Sequence, residues 1–82
     1  MTVSVRLFAI ARQLCQQEAV SLKLPGASAT VGDLREAIAS QIPQLSHILP
    51  SALISVNADY ANNLTIVREG DVVACIPPVS GG

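Results

Sequence analysis

The stretch that decides the fold is Asp71-Val72-Val73-Ala74-Cys75-Ile76-Pro77-Pro78-Val79-Ser80-Gly81-Gly82. From Val72 to Ile76 it is apolar at every position, on both faces of the strand it predicts. Such a strand sits at the centre of a sheet or has both faces covered. Two prolines then end it, since Pro77 and Pro78 have no N–H for a ladder and favour an extended polyproline path. The remaining residues are small, and the stretch closes on Gly81-Gly82. The sequence therefore predicts a domain over residues 1–77 and a flexible tail over residues 78–82.

Working outward, the rest of the chain supplies partners for that strand. Val3, Val5 and Leu7 alternate with Ser4, Arg6 and Phe8, the period of a half-buried strand. Phe8 falls on the polar side of it. Ala9–Gln17 reads as a short helix, with Ile10 and Leu14 four apart and no Gly or Pro inside. Val20, Leu22 and Leu24 mark a second strand, stopped by Pro25-Gly26. Thr30 is a good N-cap with Asp33 three residues on, a variant of the capping box. Val31, Leu34, Ile38 and Ile42 then share one stripe of a main helix. Pro43 ends it near Gln41, because a residue before proline avoids helical geometry. Pro43–Pro50 is an irregular connection. Ala52–Asn57 is a third strand, Ala58–Asn63 is turn-like, Leu64–Val67 is a short strand, and Glu69-Gly70-Asp71 is a turn. The order predicts an α+β roll: a mixed four- to five-stranded sheet covered by one main helix.

Composition narrows the function. Charged residues are 13% of the 82, against about 25% in an average domain. Five basic residues face six acidic ones, which argues against nucleic-acid binding. Half the residues are apolar, which argues against disorder. The apolar runs are far short of the roughly 18 residues a spanning helix needs. With no leader-like start, the chain is expected to be cytoplasmic, without membrane partners. A chain this small has little room for an enclosed active site. Cys15 and Cys75 read as buried thiols, and His47, the only histidine, as a surface residue. Asp33 and Glu36 suit the start of a helix rather than acid–base work.

The chemistry is expected at the tail. Six residues from Pro77 to Gly82 reach roughly 20 Å when extended. Gly81-Gly82 lacks Cβ atoms and suits a narrow channel in a partner. An α-carboxylate is an anion at pH 7 and a poor electrophile. Activating it requires a mixed anhydride, and no glycine-rich phosphate loop is present in this chain to make one. A separate protein must do so.

Leu7-Phe8-Ala9 with Ala11-Arg12, Thr30-Val31 with Leu34, Val56-Asn57, Gly70-Asp71 with Val73-Ala74, and the tail Ile76-Pro77-Pro78-Val79-Ser80-Gly81-Gly82 are similar to the small, sulfur-carrying subunits of molybdopterin synthase. Those are ubiquitin-like β-grasp proteins. Two positions depart from the family: Gln13 stands where glutamate is frequent, and Val72 where an acid is usual. The resemblance implies that an E1-like enzyme adenylates Gly82 with ATP, and that a sulfur-donor protein converts it to a thiocarboxylate. The tail then delivers sulfur to cyclic pyranopterin monophosphate inside the large synthase subunit, in a heterotetramer. Gly82 is the expected carrier, Gly81 gives clearance, and Pro77, Pro78, Val79 and Ser80 guide the tail. The chain itself is expected to bind no cofactor or metal. Carriers for thiamine, thiolated tRNA or cysteine, and ubiquitin-like modifiers, share the Gly-Gly ending. Phe8, Tyr60 and Ile76 are expected to form the partner-binding patch, since aromatic residues are enriched at interfaces.

Overall fold

The computed structural model describes residues 1–78. Strand β1 (Thr2–Leu7) leads into helix α1 (Ala9–Cys15) and strand β2 (Ala19–Lys23). Strand β3 (Ser28–Thr30) runs directly into helix α2 (Val31–Gln41). Two single 3-10 turns, Pro43–Leu45 and Leu49–Ser51, lead to β4 (Leu53–Val56), β5 (Asp59–Ala61), β6 (Ile66–Arg68) and β7 (Val72–Ile76). The main sheet has five strands in the order β2-β1-β7-β4-β5, and β3 pairs with β6 in a separate two-stranded sheet. The apolar strand β7 is central, parallel to β1 and antiparallel to β4. No helix among the described residues is long and apolar enough to cross a membrane.

The elements form where side-chain period and capping direct them. On β1, Val3, Val5 and Leu7 are buried and their neighbours exposed. Helix α2 begins at a full capping box. Thr30 Oγ1 accepts from the Asp33 N–H at 3.1 Å, and Asp33 Oδ2 accepts from the Thr30 N–H at 3.3 Å. Val31, Leu34 and Ile38 lie on its buried side and meet Leu22, Ile54 and Val73 in one core. Burying a side chain of this size contributes about 1.5–3 kcal/mol. The fold is thus the β-grasp arrangement, a mixed sheet closed over a single long helix.

Besides strand β3, which was not expected, four local features differ from the sequence expectation. Helix α1 ends at Cys15, because Gln16 turns left-handed at φ 54°. Its spacing residues Ile10 and Leu14 face outward, and Ala11 is the fully buried residue. The inward position of so short a helix is filled by its smallest side chain. The segment expected to be turn-like, Ala58–Asn63, holds strand β5. Its turn needs only Asn57 and Ala58, both at positive φ (52° and 72°), the geometry of a two-residue hairpin. The short strand starts at Ile66 rather than Leu64 and leaves the main sheet to pair with β3.

One side chain also seals part of a sheet edge. The Gln41 amide lies against β2, its Oε1 accepting from the Lys23 N–H at 3.1 Å and its Nε2 donating to the Lys23 carbonyl at 2.6 Å.

Candidate functional site

The register of the sheet assembles its outer face. Val72 stands opposite Ser4 and Ala74 opposite Arg6 on β1. On the other side Ile76 stands opposite Leu53, and Ala74 opposite Ser55, on β4. Tyr60 on β5 stands opposite Ser55. Cross-strand partners share a face, so these residues form one surface on the side away from α2. Helix α2 covers the other side; on this side Ala74 and Ser55 are shielded by their neighbours and Ile76 is half-buried, while Val72, Leu53 and Tyr60 are exposed.

Phe8 joins the surface at its edge. It follows β1 directly, and its N–H donates to the Cys75 carbonyl at 3.3 Å, level with Ile76. It occupies the N-cap of α1 yet offers no side-chain cap, so the ring takes no part in helix capping. Ala9 turns the chain away at φ 50°, a conformation that is rare outside glycine. The Phe8 ring is 43% exposed, Leu53 52%, Val72 51% and Tyr60 74%. Phe8 and Ile76 are therefore level on neighbouring strands, as the β-grasp resemblance implied. Tyr60 lies two strands from β7, roughly 10 Å away at ordinary strand spacing, with Leu53 level with Ile76 on the strand between.

Leu53 and Val72 belong to this surface, and sequence reasoning did not include them. For Leu53 the signal was present: Ile54 next to it fills the core, so alternation turns Leu53 outward. For Val72 the same rule, counted from the buried Val73, gives the outward direction.

The surface carries few charges. Arg6 is the one ionised side chain on its central strands β1, β7 and β4. At the start of β7, Asp71 accepts from the Arg68 N–H at 2.8 Å and from Asn57 Nδ2 at 3.1 Å. These hydrogen bonds hold its carboxyl below the usual range, the backbone one foremost. Asn57 Oδ1 in turn accepts from the Val72 N–H at 2.9 Å. The two turns at that end of the sheet are thereby locked together.

Among the described residues, no activated nucleophile accompanies the surface. Cys75 is buried on the opposite face, and burial pushes its thiol up; the half-buried Cys15 is pushed the same way. Both are free thiols poorly suited to nucleophilic attack. His47 is exposed. Among the described residues, no group of His, Cys, Asp and Glu is placed to hold a metal ion.

At the far end of β7, Pro77 is buried and Pro78 is exposed. The missing proline N–H ends the ladder there. Val79, Ser80, Gly81 and Gly82, the expected guiding and carrier residues, lie outside the described residues. The arrangement is a largely apolar sheet face with Pro77 and Pro78 at its rim.

Comparisons with known proteins agree on the kind of chain this is. A family model described as the ThiS family matches residues 5–82. The molybdopterin synthase sulfur carrier subunit of Arabidopsis thaliana is 35% identical over 80 residues, covering 98% of this chain and 82% of that protein. Among solved structures, SAMP1 of Haloferax volcanii superposes with a TM-score of 0.84 at 28% identity, covering all of both chains. Subunit 1 and subunit 2 of the molybdopterin-converting factor of Helicobacter pylori were solved as a complex. The matching chain there has a TM-score of 0.68 at 31% identity, again covering 100% of both chains.

Proposed function

The chain belongs to the ThiS family of ubiquitin-like sulfur carriers, and from that footing we propose that it is the sulfur-carrying small subunit of molybdopterin synthase. The observation that carries this reading is the neighbourhood of Phe8 and Ile76. An exposed, nearly uncharged sheet face lies at the place where the chain departs toward Gly82. Monomeric proteins seldom expose such a patch without a partner for it.

In this reading the folded part docks and the tail reacts. Gly82 presents a carboxylate, which is inert as an acyl donor until activated. An E1-like enzyme, which binds the ATP, forms the acyl-adenylate and releases pyrophosphate. A sulfur-donor protein supplies the sulfur that displaces AMP, leaving a thiocarboxylate at Gly82. The tail enters the large subunit, where the thiocarboxylate sulfur bonds to carbon of cyclic pyranopterin monophosphate and water then cleaves the acyl–sulfur bond, leaving the sulfur on the pterin and returning Gly82 to a carboxylate. Gly81 gives clearance, and Pro77, Pro78, Val79 and Ser80 aim the tail. Phe8, Tyr60 and Ile76, with Leu53 and Val72, form the docking face.

Co-expression with the cognate activating enzyme and sulfur donor, followed by intact mass measurement, tests this. A gain equal to sulfur replacing oxygen, located at Gly82, is the expected result. An unchanged mass in the presence of active enzyme overturns it. The likeness to SAMP1, which a second solved structure describes as a small archaeal modifier protein, favours one other reading. There the activated Gly82 would form an isopeptide with a lysine of another protein, and the same experiment would reveal that adduct.

A further inference from the structure

Helix α1 bears a second exposed apolar feature, on a flank the sheet face does not include. Ile10 and Leu14 stand one turn apart and are 40% and 44% exposed, while Ala11 takes the buried side. Another flank of the helix is wetted. There Arg12 is paired with Glu18 at 2.9 Å, and the polar side chains of Gln13 and Gln16 line an open groove beside that pair. The helix thus has a solvated flank and an apolar one.

The apolar flank stands near the root of the tail. Phe8 is the N-cap of α1 and bonds to Cys75, and α1 packs against β7. Ile10 is two residues beyond Phe8, and Leu14 lies about 6 Å further along the helix. Pro78 and the proposed carrier Gly82 are separated by Val79, Ser80 and Gly81, a span of at most about 14 Å. A protein that draws the Gly82 carboxyl into an interior site must therefore lie close against the surface around Pro78. That surface has the outer sheet face on one side and α1 on the other.

We infer that Ile10 and Leu14 form a second contact surface for the large synthase subunit, which grips the tail root between helix and sheet. The inference rests on the sulfur-carrier reading above. A membrane is a poor occupant: five basic residues against six acidic ones give no electrostatic attraction to anionic lipid. A second copy is a poor occupant too, because two side chains bury far less than the roughly 1,200 Å² of a stable interface. As an extension of the sheet-face contact, the same two side chains add to a surface already engaged.

The test titrates the full chain and its variants into purified large subunit from the same organism, with the activating enzyme as a parallel titrant. Ile10→Arg and Leu14→Arg should each weaken binding to the large subunit by about tenfold or more, the loss typical of a buried interface anchor. Leu14→Met should keep it. In the complex of the unsubstituted chain, amide exchange over residues 10–15 should slow, which gives a readout independent of any folding defect in the variants. If Ile10→Arg and Leu14→Arg bind as tightly as the parent while Phe8→Arg does not, the helix surface is refuted and the carrier reading stands. Weakening toward the activating enzyme alone also overturns the assignment to the large subunit. If the unsubstituted chain binds neither protein, the carrier reading fails and this inference with it.

Discussion

Asn57 Nδ2 donates to Asp71 Oδ1 across 3.1 Å, joining the turn between β4 and β5 to the turn that starts β7. The contact lies at the opposite end of β7 from the tail, and it fixes the strand from which the tail departs. Because Asp71 also accepts from the Arg68 N–H, its charged form is favoured in the folded state.

That preference sets a direction for acid stability. The folded-state pKa is lowered, so the stabilisation is fully present above the unfolded carboxylate value of about 3.9. It is lost as pH falls through the folded value. Urea unfolding of the parent and Asp71→Asn should show a gap that is constant near neutrality and closes below about pH 4. A gap independent of pH would refute this role for the carboxylate.

Ala58 is held at φ 72° in the hairpin turn, where an L side chain is strained. Ala58→Gly relieves that strain but adds freedom to the unfolded chain. The net expectation is a gain of about 1 kcal/mol, read from urea midpoints at unchanged slope. A loss of stability would mean the turn tolerates alanine without strain.

Phe8 and Leu34 should respond differently to substitution. Leu34 is fully buried, so Leu34→Ala should lower stability by about 2–5 kcal/mol. Phe8 is 43% exposed, and Phe8→Arg should change stability by only about 0.5 kcal/mol while impairing partner binding. Equal destabilisation by the two would return Phe8 to the core.

Deleting Gly82 should leave the melting temperature of the domain unchanged, because the core ends at Pro77. The same deletion should abolish molybdopterin formation in a reconstituted synthase. Product formed at the normal rate by the truncated chain would remove the tail from the chemistry.

Strands β1, β2, β4 and β7 and helix α2 were legible because each carries its own period or cap. Val3, Val5 and Leu7 alternate, and Thr30 with Asp33 closes a box that needs no tertiary contact. Strand β3 was not legible: Ser28–Thr30 has only three residues, no apolar alternation, and exists through pairing with Ile66–Arg68. Strand β5 was hidden because its turn uses Asn57-Ala58 instead of the Asn-Gly that marks such hairpins. At the site, Phe8 beside Ile76 was legible through the β-grasp resemblance, which sets the first strand against the last. Alternation turned Leu53 and Val72 outward, but their places opposite Ile76 and Ser4 required the cross-strand register, which a single sequence does not state. The outward turn of Ile10 and Leu14 depends on how closely α1 approaches the sheet, a tertiary quantity.

The Gln41 amide on Lys23 bears on how such a chain survives at high concentration. The outer edge of β2 presents the backbone groups of Ala19, Ser21 and Lys23, because their neighbours bond to β1. A sheet with an apolar face and an unpaired edge is a template on which further copies can polymerise. Gln41 withdraws the last of three rungs by imitating a neighbouring strand, and leaves a remnant too short to recruit one. Gln41→Ala should therefore raise light scattering on prolonged incubation, with unchanged scattering as the contrary result. A carrier that must keep a sticky face bare between encounters is in this way protected from its own kind.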